Sequence, residues 1–414
     1  MGARPFDFIP SPAPLSRPLS RRPSMQQPEI IKRSPPGSED TRDTAFQGTG
    51  VLEILPDGFG FLRGSEDNYQ PGADDIYVSP SQIRRFDLKT GDVLVGMVRP
   101  PKEGERYNAL IQVKEVNGCD PDTARGTPTF DELKAVHPNT RLLVESAGQQ
   151  TGPRLIDAFA PLGKGQRALI VSPPRTGASQ LLLQLGTCLE SADPELNVMA
   201  ILIDARPEEV TEVRSLLHGE IASSAFDEGP SRHVQIAEIA IERAKRLVEQ
   251  GRDVVVLIDS LTQLARAYNA SLPSSGKVLA SGIEAQAILK LKRLFGAARN
   301  LEGIGSLSII GCVRSDNGSN LDQHVLEELS AAANAEIHLC RATAQEGLYP
   351  AIQLRKSQTA RTDKLLSAQQ EEQLAGARST LNGNNAEDLR SLLKTLATSK
   401  STDEFLDKVR NSGD

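Results

Sequence analysis

The chain of 414 residues has no tryptophan, few aromatic residues (4%) and only four cysteines. The cysteines are Cys119, Cys188, Cys312 and Cys340, and they form no Cys-x-x-Cys pair or other metal-ligand spacing, so a reducing cytoplasm is the expected location. No apolar run approaches the roughly 18 residues of a membrane span, and no membrane association is expected. The net charge of −7 argues against a uniformly basic nucleic-acid binder, although a local basic groove would suffice for binding.

The composition changes along the chain. Residues 1–45 hold nine of the 26 prolines and little hydrophobic periodicity, which predicts a disordered tail over residues 1–48. Residues 49–118 contain about five short strands of alternating pattern with turn residues between them, as is typical of a small closed barrel of OB or cold-shock type. Residues 119–154 are predicted to be a linker.

Residues 155–414 show a different pattern. The apolar runs RALIVS, VMAILID, DVVVLIDS and LSIIGCV are short and rich in β-branched residues, and helical stretches separate them. Strands that are apolar on both faces and alternate with helices predict an α/β domain with a mostly parallel sheet covered on both sides. One or two amphipathic helices are expected at the end of the chain, over 386–412.

The stretch SPPRTGAS, residues 172–179, follows one of these strands and precedes a helix, the position of a phosphate-binding loop. Such a loop ends in Gly-Lys-Ser or Gly-Lys-Thr, whereas here Ala178 stands between Gly177 and Ser179. Ser179 remains a candidate oxygen ligand of Mg²⁺, together with Asp259 at the end of a buried strand. An equally simple interpretation of Asp259 or Ser260 is a helix cap.

The predicted barrel carries the aromatic residues that favour RNA binding. Phe59 and Phe61 are two apart on one strand, so both rings face the same side, and Arg63 follows on that face. Exposed rings beside a few charges form a platform on which unpaired bases stack, while the alternative is that the rings fill the barrel. The candidate RNA-binding residues of the barrel are Phe59, Phe61, Arg63, Asp75, Tyr77, Lys102, Glu105, Arg106 and Tyr107.

The motifs DGFGFLR, GKGQRALIVSPPRTG, LIDARPEEVTE, LTQLARAYN and LFGAARN, in this order, closely resemble those of the bacterial transcription termination factor Rho family, from about residue 49 to 410. The resemblance implies a hexameric ring of RecA-like domains, with ATP and Mg²⁺ between subunits and no metal held by protein ligands alone. It also implies that single-stranded RNA is captured by the barrel and threaded through the ring, away from RNA polymerase.

The resemblance also assigns individual residues. It places the nucleotide at Gly163, Lys164, Gly165, Gln166, Arg167, Ala168, Arg175, Thr176, Gly177, Ala178, Ser179, Gln180 and Arg206. In the pore, Lys277 matches an RNA-gripping lysine of the family, whereas Asn320 stands where a second lysine is usual.

Four catalytic positions of the family are altered in this chain. Ala178 replaces the lysine that reaches the β- and γ-phosphates, and Ala205 replaces the glutamate that activates water. Gly347 and Ala360 replace two arginines that reach a neighbouring subunit's nucleotide. These changes lie at one composite site, so ATP hydrolysis is expected to be lost.

Three hypotheses remain open on the sequence. The chain is a Rho-type RNA-binding ring protein with a disabled motor, forming a homohexamer or a mixed ring with an intact Rho. Alternatively, it is an active RNA-dependent ATPase and helicase whose site uses Arg175, Arg361 and Glu208 or Glu209. The third hypothesis is a decaying gene copy without function, against which the intact barrel aromatics argue.

Overall fold

The computed structural model describes residues 45–66, 68–144, 150–273 and 277–411, all within one compact unit. Most of the tail predicted over 1–48 lies outside the described residues, and from Phe46 onward the chain is already in a strand. The first domain consists of β1 (Phe46–Ile54), β2 (Gly60–Arg63), β3 (Ile76–Val78), α1 (Pro80–Phe86), β4 (Val93–Arg99) and β5 (Asn108–Val116).

The five strands close into a barrel in the order β1-β2-β3-β5-β4. Neighbouring strands are antiparallel except for the parallel pair β3 and β5. Because side chains alternate between the two faces of a strand, every second residue fills the interior. The buried core of the barrel includes Leu52, Leu62, Val78, Leu94 and Val98.

The segment predicted as a linker, 119–154, contains regular structure. It includes α2 (Pro121–Ala124), β6 (Ala135–Val136) and the start of α3 (Thr151–Phe159). β6 pairs antiparallel with β11 (Arg299–Leu301) and so adds a strand to the large sheet. A strand of two residues is too short to show any periodicity, which explains why the sequence pattern missed it.

The second domain is an α/β domain around a nine-stranded sheet. Its remaining elements are β7 (Arg167–Ser172), α4 (Ala178–Ala192), β8 (Asn197–Ala205), α5 (Pro207–Leu216), β9 (Glu220–Ala225), α6 (Pro230–Glu249), β10 (Asp253–Asp259), α7 (Leu261–Ser271), α8 (Ala285–Phe295), β12 (Ser306–Arg314), α9 (Asn320–Ser330), β13 (Ala335–His338), α10 (Arg341–Gln345), β14 (Gln358–Thr359), α11 (Ala368–Ser379), α12 (Asn385–Ala397) and α13 (Thr402–Asn411).

The main path of the sheet runs in the order β14-β13-β7-β12-β10-β8-β9, and the pairs from β13 to β9 are all parallel. The carboxyl ends of β7, β8, β10 and β12 therefore meet at one edge, where ligands bind in open α/β sheets. The central strand β12 is apolar on both faces: Ile310 and Cys312 belong to the core that contains α4, and Ile309 and Val313 to the core that contains α6 and α7.

The barrel packs against α6. Tyr69, which follows β2, is 1% exposed and belongs to the core on the α6 side of the sheet. The side-chain amide of Gln235 in α6 donates a hydrogen bond of 2.6 Å to Glu53 in β1. No described helix combines the length and the hydrophobicity that crossing a membrane requires.

Candidate functional site

The loop after β7 has the backbone of an anion-binding turn. Arg175 and Gly177 have positive φ angles of 65° and 83°, and Gly177 precedes the first residue of α4. The Thr176 hydroxyl donates a hydrogen bond of 2.8 Å to the Pro173 carbonyl, which closes the turn. The first N–H groups of a helix have no partner inside the helix, and with the helix dipole they favour phosphate at this end of α4.

A cavity of about 380 Å³ opens beside this loop. It lies at the carboxyl edge of the parallel strands, between α4 and α5. Apolar residues of α4, α5 and the sheet form part of its lining, and charged groups come from the loop, the strand ends and α5. The charged and hydroxyl residues of the lining are Arg175, Ser179, Asp204, Arg206, Glu209, Glu212, Asp259, Ser260 and Arg314, and Gln180 and Ala205 also line it.

Ser179 and Asp259, the two candidate Mg²⁺ ligands, are neighbours in the cavity. The Ser179 hydroxyl donates a hydrogen bond to the Asp259 carboxylate. Burial raises the pKa of Asp259, the nearby Glu209 raises it further, and the Ser179 hydrogen bond and Arg314 oppose the shift. A hydroxyl and a carboxylate oxygen side by side, with a carboxylate that gains from a cation, fit the oxygen ligands that Mg²⁺ prefers. Among the described residues there is no group of three His, Cys, Asp or Glu side chains that would hold a metal without further ligands.

The two alanines at family catalytic positions, Ala205 and Ala178, face different parts of the domain. Ala205 is 7% exposed at the end of β8 and lines the cavity, beside Asp204, whose carboxylate accepts a hydrogen bond from Gln263. Ala178 is the first residue of α4 and packs its methyl group against the core instead. Neither carries a group that contacts phosphate or activates water.

The upstream part of the predicted nucleotide set lies elsewhere. Gly163, Lys164, Gly165, Gln166, Arg167 and Ala168 precede or begin β7, whereas the loop follows it, and six residues of strand span roughly 20 Å. The ammonium group of Lys164 pairs with Asp253 at 2.8 Å, at the amino end of β10. Arg167 Nε donates a hydrogen bond of 2.7 Å to the Ala332 carbonyl. The structure does not bring these six residues to the cavity.

Gly347 and Ala360 also lie outside the cavity. Gly347 has a φ of 71° with open space around it. Ala360 is exposed beside β14, and its neighbour Arg361 forms a bidentate pair with Asp363, with distances of 2.8 and 2.9 Å. Tyr349 is 52% exposed, and its ring carbons lie 3.5 Å from the position that a Cβ on Gly177 would occupy. An aromatic face is thus placed against the loop.

The barrel aromatics form one connected cluster. The Phe59 and Phe61 ring centres are 5.7 Å apart, and the Tyr77 ring lies 5.7 Å from Phe59 and 6.1 Å from Phe61. The Tyr107 ring lies 4.9 Å from Phe61 and has the Arg106 guanidinium 5.5 Å above it. Phe61 is 9% exposed, and the other three rings are half-buried. These four rings are called the aromatic platform below.

Arg63 and Asp75 support this platform from inside the barrel wall. Both are nearly buried, with 4% and 7% exposure, and their side chains form an ion pair. Arg63 also pairs with Glu53 at 2.8 Å and lies 5.0 Å from the centre of the Phe61 ring. The two residues therefore hold the rings in place and do not face solvent.

A cleft of about 420 Å³ borders the platform. Tyr77, Tyr107 and Ile111 line it, together with Glu105 and Arg99, which pair at 2.6 Å. The hydrogen bond from Arg99 lowers the pKa of Glu105 to about 2, with help from the Lys102 backbone N–H. Lys102 and Arg106 are exposed, and Arg106 also lines the cleft. Aromatic faces, two exposed cations and one fixed carboxylate suit an unpaired nucleotide.

The predicted pore residue Lys277 is exposed and begins the segment after residues 274–276, which lie outside the described part of the chain. Asn320 begins α9 and follows the N-cap residue Ser319. The nearby Asp322 is fully buried and accepts two hydrogen bonds from Arg266, at 3.0 and 2.8 Å. The loop before α9 is thus fixed by internal contacts.

Two families match the chain. Residues 48–122 match the family described as Rho termination factor, RNA-binding domain, and residues 152–359 match the ATP synthase alpha/beta family, nucleotide-binding domain. Transcription termination factor Rho of Escherichia coli strain K12 is 46% identical over 388 residues, which cover 92% of this chain and 91% of that protein. The chain belongs to the Rho termination factor family.

Other Rho proteins show the same likeness. Rho of Haemophilus influenzae is 45% identical over 92% of this chain and 91% of its own length, and Rho of Pseudomonas aeruginosa is 46% identical over 88% of each. Among solved structures, a prototypical ATPase from a type III secretion system has a TM-score of 0.56 at 21% identity, covering 68% of this chain and 88% of its own. The ATP synthase subunit NeqB of Nanoarcheaum equitans has a TM-score of 0.55 at 18% identity, covering 68% and 78%. These likenesses show the fold.

Membership in the Rho family confirms the predicted fold, an OB-like barrel followed by a RecA-like α/β domain with a mostly parallel sheet. It also establishes the coarse function: an RNA-binding domain and an ATPase-type nucleotide-binding domain in a transcription termination factor.

Three residues of the described sites escaped the sequence analysis. Arg99 forms the cleft with Glu105, Tyr349 covers the loop of this Rho-family chain, and Arg314 lines the cavity. Arg99 and Arg314 each end a predicted apolar run, so a charge after a buried strand was the available signal. Tyr349 gave no local signal, because only the tertiary fold brings residue 349 to residue 177.

Proposed function

We propose that this Rho-family chain binds single-stranded RNA on its aromatic platform and binds a nucleotide in its cavity, but does not hydrolyse ATP. The observation that carries the proposal is the cavity itself. It retains Ser179, Asp259 and the helix start, which would hold a Mg²⁺-bound phosphate, while alanine stands at 178 and 205. Such a protein acts in termination by occupying RNA and not by translocating along it.

The typical rate contributions of the replaced groups support a loss of ATP turnover. A general base contributes typically about 10²–10⁴-fold to an enzymatic rate, and an arginine finger roughly 10³–10⁵-fold in phosphoryl transfer. Such losses are not additive, because removal of one member of a working unit already forfeits most of the rate. With lysine, glutamate and two arginines of the family pattern replaced, hydrolysis falls to background.

Mg²⁺ would be held by Ser179 and Asp259, and it would neutralise charge on the phosphate oxygens. Of the chain's own groups, the N–H groups at the start of α4 bind the phosphate, and the exposed ring of Tyr349 packs against the base. The upstream residues 163–168 maintain the amino end of β7 and take no part in this binding.

On the RNA side, stacking on Phe59 and Tyr107 accounts for capture, and Lys102 and Arg106 contact phosphate. Lys277 belongs to a second RNA contact, as the family resemblance implies. The chain assembles as a homohexamer or joins a mixed ring with an intact Rho in the cytoplasm, where it meets RNA polymerase through the shared transcript. In a mixed ring, Arg206 and Lys277 still serve neighbouring active subunits.

A second candidate is an active RNA-dependent ATPase and helicase with a rebuilt site. The specific observation in its favour is that Arg175 and Glu209 both line the cavity. Arg175 would replace the lysine, and Glu209 would replace the glutamate. Arg361 is less suited to the finger role, because Asp363 already pairs with it.

The deciding experiment measures ATP hydrolysis by the purified protein with and without poly(C) RNA, beside the double variant Ala178→Lys, Ala205→Glu. We expect no RNA-stimulated turnover in the unmodified protein and a measurable rate in the variant, with equal RNA affinity in both. Turnover by the unmodified protein that Glu209→Gln abolishes would establish the second candidate instead.

A further inference from the structure

Arg314 occupies a distinctive place at the end of β12. This strand lies between β7, which leads into the loop, and β10, which ends in Asp259. Arg314 pairs in register with Ser172, the last residue of β7, and the N–H of Ser315 donates a hydrogen bond of 3.0 Å to the Ser172 carbonyl. A side chain at this point is flanked by the phosphate loop on one side and by Asp259 on the other.

The direction of the Arg314 side chain follows from the strand. Ile310 and Cys312 of β12 belong to the core that contains α4, whereas Ile309 and Val313 belong to the opposite core. Since side chains alternate along a strand, Arg314 projects on the α4 side, and α4 is the helix that begins at Ala178. Its backbone is fixed, because its N–H donates a hydrogen bond of 2.9 Å to the Thr262 hydroxyl.

The guanidinium is available for a ligand. Arg314 is exposed, lines the cavity, and forms no ion pair with any carboxylate in the described part of the chain. Its attraction to Asp259 acts at longer range. A guanidinium is always charged in proteins and binds phosphate through two parallel N–H groups.

We propose that Arg314 supplies from β12 the phosphate-binding cation that Ala178 does not provide in the loop. The inference rests on the proposed retention of nucleotide binding and names the group that makes it possible. The other two cavity arginines are placed differently: Arg175 lies in the exposed turn of the loop, and Arg206 precedes α5 on the far wall. Only Arg314 combines a fixed strand position with the face on which α4 begins.

The test is a set of binding titrations on the full chain with Mg²⁺, using ATP and AMP as competitors of a fluorescent ATP analogue. A charge-assisted hydrogen bond contributes roughly 1.5–3 kcal/mol, so Arg314→Ala is expected to weaken ATP binding about 10- to 150-fold. AMP binding should change little, because a loop lysine or its substitute contacts the β- and γ-phosphates. Arg314→Lys should retain part of the affinity. Ala178→Lys should restore ATP binding to the Arg314→Ala protein.

The control is Arg125→Ala, which removes an exposed arginine after α2, far along the chain from the cavity residues. If the unmodified protein binds ATP and Arg314→Ala binds it equally well, the role of Arg314 is refuted while nucleotide binding stands. If the unmodified protein binds no ATP at millimolar concentration but still binds RNA, both the inference and the proposed nucleotide binding fail. Equal losses for ATP and AMP would also refute a contact to the outer phosphates.

Discussion

The guanidinium carbon of Arg63 lies 5.0 Å from the centre of the Phe61 ring. Glu53 and Asp75 hold the arginine there, and it is only 4% exposed. The cation therefore supports Phe61 from within the barrel wall. Phe59 is more exposed than Phe61, so the two phenylalanines contribute differently to folding and to RNA binding.

Phe59→Ala should weaken binding of a short cytidine-rich RNA roughly 5- to 150-fold, because a base stacked on an aromatic ring is worth roughly 1–3 kcal/mol. The free energy of unfolding of this variant should change little.

Phe61→Ala should lose RNA binding and also lower the free energy of unfolding by about 3 kcal/mol, because Phe61 is nearly buried. Fluorescence anisotropy and urea unfolding measure the two quantities. Phe226→Ala, an exposed phenylalanine outside the barrel, is the control, and RNA binding by Phe59→Ala at full strength would contradict the platform.

Carboxyl NMR should find Glu105 titrating near pH 2, because Arg99 stabilises its charged form. The pKa is lowered, so the pair's contribution to stability is complete above the ordinary value of 4.5 and is lost as the pH falls toward about 2. In Arg99→Ala the midpoint should return toward 4.5, whereas Arg84→Ala in α1 should leave it unchanged. An unmoved midpoint in Arg99→Ala would mean that the Lys102 backbone N–H dominates.

Gly91→Ala should loosen the barrel from α6. A Cβ at this position would lie 2.5 Å from the Glu242 carbonyl carbon, and the φ of 92° is itself unfavourable for alanine. We expect the free energy of unfolding to fall by about 2–4 kcal/mol. Gly118→Ala is the matched control, because its φ of 79° carries the same backbone cost with open space around it. Equal losses in the two variants would show that the contact with α6 does not matter.

Tyr349→Ala should reduce ATP affinity about 2- to 12-fold, since an aromatic contact contributes roughly 0.5–1.5 kcal/mol beyond its buried area. Tyr349→Phe should stay within about twofold of the unmodified protein, because the ring and not the hydroxyl faces the loop. The same titration as for Arg314 measures both. If the phenylalanine variant binds as weakly as the alanine variant, stacking is not the contribution of Tyr349.

The sequence was sufficient to predict the fold and the site residues wherever the signal is local. The period-2 alternation around Phe59 and Phe61 predicted a shared face, and the apolar runs predicted the parallel sheet that the structure contains. It was insufficient where sheet order decides which residues meet. Nothing near Arg314 indicates that β12 lies beside β7, and Lys164 is only twelve residues from Thr176 although the whole of β7 separates them. Short strands such as β6 carry too few residues for any period.

The packing of Tyr69 into the core beside α6 has a thermodynamic consequence. Multidomain proteins often melt in separate steps, each domain with its own transition. Here a barrel residue completes the interior of the second domain, and Glu53 joins Arg63 of the barrel to Gln235 of α6. Loss of the barrel would open the second domain to water, so calorimetry should record one cooperative melting event for both domains.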